Sequence, residues 1–226
     1  MKKLIALVLA VLMTAVCAAS ALAEINFDYL NQGGQNGLIA ISVSSDGADA
    51  YIETTLPRTN FRFEHPYTHP GYFSATEFDF IILDYATENP MPVMRLWIRY
   101  FGTQFMNVED VSFVIDGVTY RFHAAGGEDR RQLVEGKVYA ETPAIIFSAE
   151  HIAFLEALTN HASGAASLAD LEARPVTMIL HGDTDVEVTL GSGFMLDFLG
   201  VWSYYANSGC MMYLSGIQGT EMSVEE

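Results

Sequence analysis

The chain has 226 residues, half of them hydrophobic, and carries 28 acidic side chains against 11 basic ones, for a formal charge of −17. That balance excludes nucleic-acid and anionic-lipid binding, which need clustered lysine and arginine. With two cysteines in the whole chain, it also excludes a disulfide-stapled mini-domain.

Residues 1–23 read as a secretory signal peptide. Lys2 and Lys3 form a basic start, Leu4 to Met13 an apolar run, and Ala21 and Ala23 supply small residues at −3 and −1 before Glu24. The style is bacterial. The run falls short of the ~20 apolar residues that span a bilayer, so no transmembrane span is expected in the mature chain. Lipidation at Cys17 would want a small preceding residue, and Val16 stands there. Cleavage after Ala23 leaves residues 24–226 as a single β-rich exported domain, secreted or held at the cell envelope. Losing two lysines takes its charge to −19. Cys210 becomes the sole cysteine, expected to be buried among Met211, Met212 and Tyr213.

Strand candidates dominate the next stretch. Leu38–Ser44 and Ala48–Thr54 flank a turn at Ser45, Asp46 and Gly47. Asn60–Glu64 is a short strand. His65–Tyr72, with two prolines and a glycine, is expected to be a loop. Glu77–Tyr85 and Val93–Phe101 are strands joined through Pro90 and Pro92. Asp116 and Gly117 form a two-residue hairpin turn inside Val111–Ala124. Its alternation puts Val111, Phe113, Ile115, Val118, Tyr120 and Phe122 on a buried face, and Ser112, Thr119, Arg121 and His123 on a wet one.

Ser148 is a fitting cap for a helix over Ala149–Asn160, with Glu150 in its first turn. Ser167–Ala173 suggests a short helical turn. Pro175–His181 and Asp185–Leu190 make a hairpin around Gly182, Asp183 and Thr184. A second helix runs from Ser192 to the stop signal at Asn207, Ser208 and Gly209. It is apolar nearly all round, with Asp197 its lone charge, as suits a central helix packed on a sheet. The two hairpins echo each other, as the rhythm of a sandwich or as two similar lobes. The chain ends in the acidic tail Glu221–Glu226. The expected fold is mainly β, at the margin of α+β: an antiparallel β-sandwich with two packed helices.

No serine elbow, metalloprotease helix, phosphate loop or paired-cysteine zinc pattern is present. His65 and His69, with Glu64, could ligate a metal only from a loop. Asp183 and Asp185 sit in a glycine-bearing turn that could offer oxygens to calcium, but the full loop spacing is missing; Asp46 and Asp49 share that reading. Asp197 could be a buried catalytic acid or a comfortable first-turn residue. The strongest ligand-binding candidates are Arg95, Trp97 and Arg99. On a strand they share a face, where an aromatic platform with guanidinium donors suits sugars or anions. The same residues could instead form a ladder with Glu77 and Asp79 on the next strand.

The expected function is a non-enzymatic exported binding or interaction module for an extracellular ligand or protein, a glycan or an anionic ligand, with no cofactor. The alternatives are an exported hydrolase using distant residues such as His123, His181 and Asp183, and a calcium-stabilised surface protein.

Overall fold

The structure, a computed structural model, describes residues 24–55, 59–65, 68–102, 105–124, 131–134 and 138–225, with the backbone alone at 59–65, 68–76, 131–134 and 138. Residues 1–23, the expected signal peptide with Cys17, lie outside the described residues.

Helix α1 (Phe27–Gln35) opens the fold, capped by Asn26, whose side chain accepts the Tyr29 N–H at 3.0 Å. It has no counterpart in the sequence reading, because Gly33 and Gly34 depress helix propensity. Gly33 leaves room for a neighbouring ring: a Cβ there would lie 2.4 Å from Tyr204 Cε1 and would push it aside. Strands β1 (Ile39–Val43) and β2 (Ala50–Thr54) form the expected hairpin, with Gly47 at φ +74° in its turn.

Strand β3 (Thr59–His65) pairs with β4 (Thr68–Leu83), and this corrects the expected loop over His65–Tyr72. Pro70 and Gly71 lie inside β4. They fall where the register shifts between Phe63 and His65, and a bulge tolerates a residue without an N–H. Pairing of β4 with β5 (Met91–Gly102) starts only at Ser74 opposite Tyr100 and runs to Leu83 opposite Met91, so Pro70 interrupts no ladder on that side.

The hairpin of β6 (Asp110–Ile115) and β7 (Val118–Phe122) forms in the expected register: Val111 faces Phe122, Phe113 faces Tyr120, and Ile115 faces Val118. Both turn residues have positive φ, +49° at Asp116 and +90° at Gly117, as a primed turn demands. Three short strands follow that the sequence did not reveal: β8 (Arg131–Val134), β9 (Val138–Glu141) and β10 (Ala144–Ile146).

Ser148 caps a 3-10 turn (Ala149–His151) that runs into α2 (Ile152–Ser163). Short α3 (Leu168–Glu172) is capped by Ser167. Then come β11 (Val176–His181), β12 (Val186–Leu190) and α4 (Ser192–Asn207). A 3-10 segment (Cys210–Gly216) leads to β13 (Met222–Glu225), so part of the expected acidic tail is a strand.

The strands form two antiparallel sheets. The larger runs β1-β2-β4-β5-β9-β8, with β3 also on β4 and β10 on β5; the smaller runs β12-β11-β6-β7-β13. The echoing hairpins β6–β7 and β11–β12 are therefore neighbours in one sheet, joined by β11 against β6. The buried apolar side chains form a cluster that takes in both sheets and the helices. Phe194 of α4 links them, 5.3 Å from Phe78 of β4 and 6.0 Å from Phe113 of β6. Phe154 of α2 packs on Phe113, Phe122 and Phe147. Burying each such ring contributes roughly 1.5–3 kcal/mol. Among the described residues no helix is long and apolar enough to cross a membrane.

Candidate functional site

Every second residue of β6, β7 and β13 turns away from this core, and the register collects polar groups there. Ser112 stands opposite Arg121, and Arg121 opposite Ser223. Asp110, at the start of β6, gathers the donors. Its Oδ2 accepts from Arg121 Nε at 2.8 Å and Nη2 at 2.5 Å, and its Oδ1 meets His123 Nδ1 at 2.7 Å. Partial burial pushes the Asp110 carboxyl up, but the hydrogen bonds from His123 and Arg121 and their charges together outweigh it and hold it below the ordinary carboxylate range. An ionised Asp110 thus orients a guanidinium and an imidazole side by side. Both remain open to solvent, with side chains 43% and 61% exposed. They line a cleft of about 280 Å³ completed by Glu221, Met222 and Ser223. Sequence reasoning placed Arg121 and His123 on the wet face but missed Asp110, one residue before the expected strand, and Glu221 and Ser223, because β13 was hidden in the acidic tail.

A second polar chain lies alongside. Ser112 Oγ is 2.8 Å from His181 Nε2, and His181 Nδ1 is 3.1 Å from Asp185 Oδ1. The atom order matches a hydroxyl, base and carboxylate relay. Ser112, however, is buried in the middle of β6, flanked by β7 and β11. Strand pairing on both sides takes up the backbone N–H groups that an oxyanion hole would need. Of His123, His181 and Asp183, only His123 lines the cleft.

Arg95, Trp97 and Arg99 share one face of β5, as expected. Each arginine meets a carboxylate of β4. Arg95 donates to both oxygens of Asp79, at 2.9 and 2.6 Å, and Arg99 lies 3.0 Å from Glu77. Trp97 Nε1 also donates to Asp79, at 3.3 Å. The Arg95 guanidinium sits 5.0 Å from the Trp97 ring and 5.9 Å from the Tyr51 ring. Burial raises the Asp79 carboxyl above its ordinary value, and Arg95 only partly offsets it. The ladder with Glu77 and Asp79 that the strand spacing allows is formed. Arg99, 39% exposed, is more open than Arg95.

The remaining candidates serve local structure. Asp197, buried on α4, accepts the Phe78 N–H at 2.8 Å. That N–H falls in a gap: β2 pairs with β4 only as far as Asp79, and the pairing of β3 with β4 starts at Thr76. Asp183 accepts from Asn107 Nδ2 at 2.8 Å, while Asp185 faces His181. Asp46 accepts from Ser44 Oγ and the Ala48 N–H within its turn, and these bonds, Ser44 first, hold its carboxyl low. Asp49 accepts the Asp84 N–H at 3.2 Å. His65 and His69 lie in β3 and β4, where only the backbone is described. Among the described residues no group of three or more His, Cys, Asp or Glu could hold a metal ion. Cys210 is fully buried, and burial pushes its thiol up to about 12, so it stays protonated and inert.

One buried carboxylate escaped the sequence reading. Glu141 of β9 accepts three successive backbone N–H groups, those of Met106, Asn107 and Val108. It fixes the segment that leads into Asp110. Nothing local could have revealed it, since acceptor and donors are 33 to 35 residues apart.

Comparison with models of known protein families, with curated proteins and with solved structures finds no match to this chain.

Proposed function

We propose that this chain is an exported, non-enzymatic binding module that takes a short glycan in the cleft on the outer face of its five-stranded sheet. The export half rests on the basic start, apolar run and small-residue pattern of residues 1–23. The binding half rests on one observation: Asp110 holds Arg121 and His123 side by side in an open cleft.

A volume of about 280 Å³ stands at the small end of ligand pockets and suits one sugar ring better than a large cofactor. Sugar hydroxyls both give and accept hydrogen bonds. Arg121 supplies donors, Glu221 and Ser223 supply acceptors, and His123, whose Nδ1 is turned to Asp110, offers Nε2. The chain's charge of −17 and the Glu221 carboxylate favour a neutral sugar over an acidic one. Arg95 and Trp97 direct donors at Asp79, which favours the cleft over their face as the ligand site. The hydrolase alternative lacks support, because the Ser112–His181 pair is not among the groups lining the cleft.

Calorimetry with neutral mono- and disaccharides, beside their uronic acid counterparts, tests the binding half. A neutral sugar binds the wild type, and Arg121→Ala or His123→Ala weakens it by about tenfold or more, as loss of a charge-assisted hydrogen bond would. A panel in which no sugar binds, or binding that neither variant changes, overturns the reading. For the export half, the protein recovered outside the producing cell begins at Glu24 on N-terminal sequencing.

A further inference from the structure

β13 is the last strand of its sheet, and its hydrogen-bonding pattern shows what its far edge presents. The His123 N–H donates to the Glu221 carbonyl at 2.9 Å. Hydrogen-bonded and non-bonded pairs alternate along an antiparallel ladder. With Ser223 opposite Arg121 and Glu225 opposite Thr119, residues 221, 223 and 225 direct their backbone groups at β7. Met222 and Val224 must then turn their N–H and C=O groups the other way. Among the described strands none pairs with that side, and Val224 is 49% exposed.

The side chains define the complement. Met222 and Val224 lie on the core side, opposite Phe122 and Tyr120. Glu221, Ser223 and Glu225 lie on the outer side, where both glutamates are exposed. A strand laid along this edge in register would place alternate side chains beside these two rows. One row must answer carboxylates and the other must cover Val224. We infer that β13 accepts an extended cationic peptide, alternating basic and apolar residues, as a sixth strand of the sheet. Charge selects this occupant over a second copy of the chain, which would bring the same glutamates and the same net charge of −17. The edge shares Glu221, Met222 and Ser223 with the cleft, but a peptide strand is held by the outward backbone groups of Met222 and Val224, which the sugar reading does not use, so the two readings are told apart by the backbone test below.

The probe is an end-capped octapeptide of alternating lysine and valine, titrated into the full chain at low salt. Two further peptides carry N-methyl groups on alternate residues, one on each set. Because only one set of N–H groups can face β13, one N-methylated peptide loses at least tenfold in affinity while the other binds like the parent. Val224→Pro removes an outward N–H that takes no part in the β7 ladder, and weakens the parent peptide by at least tenfold. The E221Q/E225Q double variant weakens binding severalfold and flattens its salt dependence. If both N-methylated peptides bind as tightly as the parent, attraction is charge alone and strand addition is wrong. Concentration-dependent dimers lost on Val224→Pro would give the edge to a second copy and equally overturn the proposal. Should Val224→Pro fail to fold, the two N-methylated peptides still decide.

Discussion

At the residue scale, the buried polar groups act as pins between distant segments, and His151 is one that responds to pH. Its ring is wholly buried. Nδ1 accepts the Ser148 N–H at 2.9 Å, and Nε2 meets the Thr220 carbonyl at 2.6 Å. The first contact needs a bare Nδ1 and the second a protonated Nε2, so the neutral ring satisfies both. Burial, the largest influence, holds its pKa below the ordinary 6.5 despite the Thr220 bond. The unfolded chain therefore takes up this proton at higher pH than the folded one. The contribution of His151 is fully present above about pH 6.5 and is lost as pH falls through the folded value. Urea melts between pH 8 and pH 5 should show a steeper acid loss for the wild type than for His151→Gln. Equal pH dependence would count against the pin. Such pins are illegible in sequence. Glu141 looks like an ordinary acid until the fold brings it backbone donors from 33 to 35 residues away, and Asp197, conspicuous on its apolar helix, gives no sign of its partner 119 residues away.

At the element scale, legibility followed locality. The β6–β7 hairpin was readable to the residue because Asp116 and Gly117 fix the turn and the alternation fixes the face. Helix α4 was readable from its near-continuous apolar run. Pro70 misled, since a proline excludes a regular ladder but not a bulge beyond the reach of the next strand. β13 could not be read from Glu221–Glu226, because its pairing is supplied by β7 about a hundred residues earlier. The candidate site was half visible: Arg121 and His123 by alternation, but not the strand that walls them in. The link between sheets also belongs to this scale. Phe194 is fully buried and touches rings of both sheets, so Phe194→Ala removes packing from each at once. It should cost about 3–5 kcal/mol, read as a lowered urea midpoint. A loss below about 1 kcal/mol would mean that α4 does not couple the sheets.

At the scale of the whole molecule, charge is the dominant feature. A chain at −17, and −19 once residues 1–23 are gone, repels itself when compact. Raising salt from 10 mM to 1 M shortens the screening length from about 30 Å to about 3 Å. The thermal midpoint of the 24–226 chain should rise by a few degrees over that range, and a flat or falling midpoint would show that the acids are already balanced locally. Topology sets a second global property. The gap in β4 at Phe78 is closed by Asp197, 119 residues later in the chain. Until α4 docks, that amide of the larger sheet is left to water. The last amide of that sheet is therefore satisfied only by a contact of high sequence separation, the kind that slows folding. Exchange of the Phe78 amide with solvent then becomes a clock for the opening of the whole core rather than for fraying of one strand.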